Sequence, residues 1–298
     1  MRPITSPPSG PAQGTVSRFP FNKEFSLTFA KMALLGALLI YLIAVTLVWF
    51  NQERLLFSPS VLPADYTFKL APDEHESTVE VDGAKLNVLQ LKLPHPDGVV
   101  FFLHGNSDSL LEWFVNIERY RRLNVDVVMM DYRGFGKSTG HIANEQQLLS
   151  DATVVWNQLV GGYAPQVRRI ILGRSLGTGL AAQLAAQTHP ATTILVSPYF
   201  SIAELAAQRF GWFPQALLRY PLRTDAVIDQ IPGNLFLLHG AQDALIAPSH
   251  SDRLTDIAKS RGKANVQEVI IAGAAHADLQ DFDTYLHAID VAILSQAR

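Results

Sequence analysis

Residues 168–184 read RRIILGRSLGTGLAAQL, and the fold turns on how this stretch divides. The apolar run Ile170 to Leu172 suits a buried strand, and the alanine-rich stretch from Gly177 suits a helix. Only Gly173-Arg174-Ser175-Leu176-Gly177 joins them. A chain that leaves a strand and starts a helix so abruptly turns too sharply for bulky neighbours, so glycines flank the serine and leave its hydroxyl exposed. A serine that only caps the helix is the competing reading, but a strand immediately before and a helix immediately after favour the G-x-S-x-G elbow.

Outward from the elbow, apolar runs alternate with helical patterns. STVEV from Ser77 and KLNVLQL from Lys85 are joined by Asp82-Gly83, a hairpin signal. GVVFFLHG (98–105) precedes a helix expected over 110–122, and VDVVMMDYRG (125–134) precedes one over 145–160. After the elbow come TTILVS (192–197), a helical excursion, NLFLLHG (234–240), a helix, VQEVIIAG (266–273) and a final helix. This order predicts an α/β fold: a mostly parallel central sheet with helices on both faces. Ligand sites in such sheets lie at the carboxyl ends of the strands.

A serine hydroxyl is a poor nucleophile until a base takes its proton and a carboxylate orients that base. Asp243 stands in AQDALIAP after NLFLLHG, and His276 stands in AAHADL after VQEVIIAG. The order Ser, acid, His is the one a G-x-S-x-G elbow requires. Other histidines fit less well: His104 and His239 precede glycines at strand ends, His250 begins a helix, and His287 lies within the last one. Charge developing on a substrate carbonyl needs fixed N–H donors. Leu176 is one candidate; the loop HGNSDS offers Asn106, with Ser107 as the fallback. Gly136-Lys137-Ser138 in DYRGFGKSTG imitates the end of a phosphate-binding loop, but Asp131 occupies the position of its first glycine. That segment is expected to be structural, with Arg133 paired to a carboxylate.

Composition bounds the possibilities. The 298 residues are 48% hydrophobic and 17% charged with net charge −3, and no basic block suggests a nucleic acid partner. The absence of cysteine excludes disulfides, thiolate metal sites and a thiol nucleophile. Met32 to Phe50 carries no charge and would span roughly 28 Å as a helix, which predicts a transmembrane segment over 29–50 after a flexible tail, 1–28. The segment is long, its preceding tail is long, and no small-residue cleavage pattern follows, all unlike a removed signal peptide. Arg18, Lys23 and Lys31 before it against Arg54 and Lys69 after it favour a cytoplasmic tail and an extracytoplasmic (periplasmic) catalytic domain, 51–298.

The series LHGNSDS, DYRGFGKSTG, GRSLGTG, LHGAQDALIAP and GAAHADL resembles that of the α/β-hydrolase superfamily. With the anchor and QERLLFSPS, it is most similar to a single-pass membrane branch that includes lysophospholipases and protein depalmitoylases. The resemblance implies Ser175 as nucleophile, Asp243 as acid, His276 as base, and Leu176 and Asn106 at the oxyanion hole. Where relatives carry a second glycine after HGN, this chain has Ser107-Asp108-Ser109. The expected activity is hydrolysis of an ester or thioester of an acyl-chain or lipid-like substrate, with no metal or cofactor. A peptidase on the same triad and a non-catalytic partner protein are the alternatives. Phe200, Phe210, Trp212, Phe213 and Tyr220, between the strands at 192 and 234, form either an apolar cap over an acyl pocket or ordinary helix packing.

Overall fold

The computed structural model describes Gly10 and residues 23–296, so most of the expected N-terminal tail lies outside the described residues. The chain divides into two compact units, one ending at Leu47 and one running from Val48. Helix α1 (Lys23–Leu56) is longer at both ends than the expected 29–50. Residues 23–28 are helical rather than tail, and the polar run Asn51 to Arg54, made mostly of good helix formers, ends the apolar stretch without ending the helix. Within it, Leu27–Leu56 is long and apolar enough to cross a membrane, with an 18-residue window of mean hydropathy 2.5.

The second unit continues with β1 (Ser58–Pro59), β2 (Glu74–Val81), β3 (Ala84–Leu91), β4 (Gly98–Leu103) and β5 (Ser107–Asp108). Next come α2 (Leu110–Trp113), α3 (Ile117–Arg122), β6 (Val125–Met130), α4 (Glu145–Leu159), β7 (Arg168–Arg174) and α5 (Gly177–Thr188). The chain ends with β8 (Thr192–Val196), α6 (Ile202–Arg209), β9 (Asn234–Gly240), α7 (Ser249–Ser260), β10 (Val266–Ile271) and α8 (Asp283–Leu294). The main sheet has eight strands in the order β10-β9-β8-β7-β4-β6-β3-β2. All neighbours pair parallel except β2 with β3 and β3 with β6. Gly83, at φ +70°, closes the β2–β3 hairpin at the Asp-Gly signal.

Alternation along each strand feeds two cores. Val99, Phe101 and Leu103 of β4 face one side with Trp156 and Leu180, whereas Val100 and Phe102 face the other with Tyr120 and Ile289. The helix expected over 110–122 is two helices. Ser109 closes a capping box on α2, and Asn116, in the left-handed region at φ +57°, breaks the run before α3. The path from β4 to β6 leaves on one side and the path onward to β7 returns on the other, so the chain reverses direction in the sheet between β4 and β7. A crevice forms at such a reversal, beyond the strand ends.

Candidate active site

At the end of β7 the backbone makes the expected elbow. Ser175 sits at φ +51°, a strained value for a serine, and its N–H donates to Val196 O at 2.8 Å. The flanking glycines are forced by space: a Cβ on Gly173 would lie 2.6 Å from Ala181 Cβ, and one on Gly177 would collide with Leu103 O. Two tight approaches therefore hold the serine at the tip.

The loops after β9 and β10 bring the other two candidates to it. His276 Nε2 lies 2.9 Å from Ser175 Oγ, and His276 Nδ1 lies 2.6 Å from Asp243 Oδ2. A carboxylate only accepts, so the ring proton sits on Nδ1 and the Nε2 lone pair faces the hydroxyl. Asp243 Oδ1 accepts from the Leu245 and Ile246 amides at 3.0 and 2.8 Å, which fixes the carboxylate plane. A residue passed over in the sequence completes this support. His239, fully buried, lies with Nε2 3.3 Å from Asp243 Oδ2 and 2.9 Å from Ile246 O, while its Nδ1 is 2.7 Å from Ser251 Oγ. Both neighbours of Nε2 are acceptors, so Nε2 carries the proton and donates to them. Burial would raise the Asp243 carboxyl, but hydrogen bonds from His239, His276 and the Ile246 amide, with the charge of His276, outweigh it and hold the group well below the usual carboxylate range. The only sequence signal for His239 was its i, i+4 spacing to Asp243.

Asn106 and Leu176 both border the space above Ser175. The Asn106 loop is tied to the end of α1 and the segment after it: its side-chain amide donates to Leu56 O at 2.9 Å, its carbonyl accepts from Ser58 N at 2.8 Å, and β5 pairs with β1. Ser107 O accepts from Trp113 Nε1 at 2.8 Å, and the Ser107 hydroxyl donates to Asp108 Oδ2 at 2.8 Å. Behind this loop lies a second histidine–aspartate pair. His104 donates through Nδ1 to Gly105 O at 2.8 Å, so its Nε2 is unprotonated, 3.6 Å from Asp131 Oδ1. Neither His104 Nε2 nor Asp131 Oδ2 has a hydrogen-bond partner, and both side chains are fully buried. Burial lowers His104 to about 4. Burial, with the Glu112 charge adding to it, raises Asp131 to about 8 despite the Leu110 amide on its carboxyl. At neutral pH the pair is therefore uncharged.

Two cavities meet at Ser175. The smaller, about 540 Å³, is lined largely by apolar side chains including Leu55, Ile202, Leu205, Phe210, Phe213 and Tyr220. The larger, about 760 Å³, is more polar and holds Arg174, Trp113, Gln280 and His276. The segment between β8 and β9 thus covers the smaller cavity, but of the five aromatics expected there as a cap only Phe210, Phe213 and Tyr220 line it: Trp212 is 46% exposed, and Phe200 lies under the Arg253 guanidinium. Arg133 is paired with a carboxylate as expected, gripping Asp151 with two bonds of 2.6 and 2.8 Å. Among the described residues, no group of three or more His, Asp or Glu is gathered in a way that could hold a metal ion.

Residues 94–227 match the family profile described as serine aminopeptidase, S33, a span that includes Asn106, Ser175 and Leu176 and ends before Asp243 and His276. A protein of Mycobacterium tuberculosis, itself uncharacterized, is 29% identical over 248 residues, 80% of this chain and 85% of that protein. Human alpha/beta hydrolase domain-containing protein 17B is 28% identical over 203 residues, 66% of each. Among solved structures, an esterase of Pyrococcus furiosus superposes with a TM-score of 0.62 at 19% identity, covering 79% of this chain and 97% of that one. This last likeness is one of fold.

Proposed function

We propose, on the premise that this chain belongs to the α/β-hydrolase superfamily, that it is a serine hydrolase cleaving carboxylic esters or thioesters of acyl-chain substrates. The observation that carries the reading is the continuous chain Asp243, His276, Ser175, with links of 2.6 and 2.9 Å. Ser175 Oγ attacks the acyl carbon as His276 Nε2 takes its proton, and Asp243 stabilises the imidazolium that forms. The Leu176 and Asn106 amides receive the negative charge on the carbonyl oxygen. Collapse breaks the bond to the leaving heteroatom, which takes the proton from His276. Water then attacks the acyl-enzyme by the same exchange in reverse. A fluorophosphonate probe labels the wild type, and Ser175→Ala is expected to abolish that labelling and the ester turnover together. Labelling that survives the substitution moves the nucleophile elsewhere.

The match to serine aminopeptidases favours a second reading, an aminopeptidase. Such an enzyme holds the substrate's terminal ammonium on the acyl side of the scissile bond. The apolar cavity beside Ser175 contains no Asp or Glu to pair with it. Turnover of aminoacyl amides with no turnover of fatty-acyl esters would select the peptidase.

The reading extends to the membrane. Helix α1 acts as a retained single-pass anchor, because its last turns, from Val48, are part of the catalytic unit and a removed signal sequence has no such role, and the excess of Lys and Arg before it puts the catalytic unit on the extracytoplasmic side. An intact N-terminus in the mature protein, by mass, and resistance to carbonate extraction are expected. A chain shortened by signal cleavage and released to the soluble fraction overturns the anchor.

A further inference from the structure

The two cavities at Ser175 differ in one mechanistic respect: His276 lines the larger and not the smaller. Resting on the proposed function, this difference orients the substrate, because the leaving heteroatom must come within reach of the proton on His276 Nε2. The acyl group therefore occupies the apolar cavity, and the departing alcohol or thiol occupies the polar one.

Arg174 decides what kind of leaving group that cavity favours. It precedes the nucleophile and lines the polar cavity beside it. Its guanidinium lies 5.6 Å from the centre of the Trp113 ring. Nη1 donates to Gln280 Oε1 at 3.1 Å and Nη2 to His276 O at 3.2 Å. These partners are all neutral, so the charge of Arg174 is not cancelled, and two of its five N–H donors are engaged. The other charges of the cavity are accounted for differently. Arg119 is paired with Asp290 and Glu118 with Arg121, Arg122 is exposed, and Glu112 and Asp108 keep their own charges, each held by a neutral hydroxyl, Ser109 and Ser107.

We infer that Arg174 is a specificity-determining residue that binds an oxyanion, carboxylate or phosphate, carried by the leaving group near the scissile bond. The planar fork presents parallel donors matched to such a group. Stacking on Trp113 and the bond to Gln280 fix the fork before substrate arrives, so little side-chain freedom remains to be lost on binding.

The test uses the full-length protein in detergent micelles with two matched pairs of octanoyl esters. One pair is 1-octanoylglycerol and its 3-phosphate; the other is 4-carbamoylphenyl and 4-carboxyphenyl octanoate. The anionic member is expected to be favoured in kcat/KM by about tenfold, the scale of one charge-assisted hydrogen bond. Arg174→Gln is expected to erase the preference through a higher KM for the anionic member, and Arg174→Lys to restore part of it. Preference in both pairs supports any oxyanion; preference in one narrows the class to that oxyanion. Equal kcat/KM within each pair in the wild type overturns the inference, as does an equal loss on both members in Arg174→Gln, which would make Arg174 only a support for the His276 loop. Fluorophosphonate labelling separates the failures: labelled Ser175 without anion preference removes this inference alone, whereas unlabelled Ser175 removes the proposed function with it.

Discussion

At the scale of single residues, the site depends on one proton held at one atom. Asp243 keeps the His276 proton on Nδ1, with the carboxylate itself fixed by His239 and two backbone amides. Asp243→Asn is isosteric but offers a donor where His276 needs an acceptor, which favours the wrong tautomer. Its kcat on a soluble ester is expected to fall about 10⁴-fold, with fluorophosphonate labelling slowed in parallel. A loss of less than tenfold would mean that another group orients the ring. Ser175, Asp243 and His276 were readable from sequence because each follows an apolar run at a strand end in the required order. His239 and Arg174 were not. His239 meets Ile246 and Ser251 only because the loop after β9 folds back on itself, and Arg174 meets Trp113 and Gln280 from distant parts of the chain; no periodic pattern encodes either meeting.

At the scale of elements, the last turns of α1 serve two parts of the site. Gln52 Nε2 donates to Leu217 O at 2.9 Å and Gln52 Oε1 accepts from Arg219 N at 2.8 Å, which fastens the segment covering the apolar cavity. Leu56 O holds the Asn106 side chain. Gln52→Leu removes two hydrogen bonds from partly exposed backbone groups, and a cost of about 1–3 kcal/mol, the net worth of two such bonds, is expected in denaturant unfolding. Its kcat/KM should fall more for octanoyl than for acetyl esters, because the cavity wall loosens while the triad is untouched. An equal fall for both would show that the wall does not bind the chain. Removing residues 1–47 is expected to preserve turnover of a soluble ester, whereas removing 1–57 should abolish it. The succession of strands along the chain was legible from its apolar runs, yet the helix boundaries were not. The end of α1 was hidden because its polar residues are also good helix formers. The break in 110–122 was hidden because Asn116 departs from helical geometry without a glycine or proline to announce it.

At the scale of the whole molecule, stability should follow the buried His104 and Asp131 pair as pH changes. Asp131 is raised to about 8 from an unfolded value of about 3.9, so the stability tied to its protonated form is complete below the unfolded value and is lost as pH rises through 8. His104 has the opposite sign. Lowered to about 4 from about 6.5, it contributes above 6.5, and that contribution is lost as pH falls through 4. Asp131→Asn removes the alkaline half of this dependence. The difference in Tm between variant and wild type is expected to move in the variant's favour as pH rises from 5 to 8.5, measured by thermal melts in matched buffers. A constant difference across that range would show that Asp131 does not titrate with folding.

The position of His276 has a further consequence, in time rather than in space. It follows β10, which pairs with β9 at the border of the main sheet and is made after β7, whose end carries Ser175. During synthesis Asn106, Ser175 and Leu176 therefore exist well before His276 does. An emerging chain cannot form the Ser175–His276 contact until β10 has paired with β9, and a chain truncated before residue 276 never forms it.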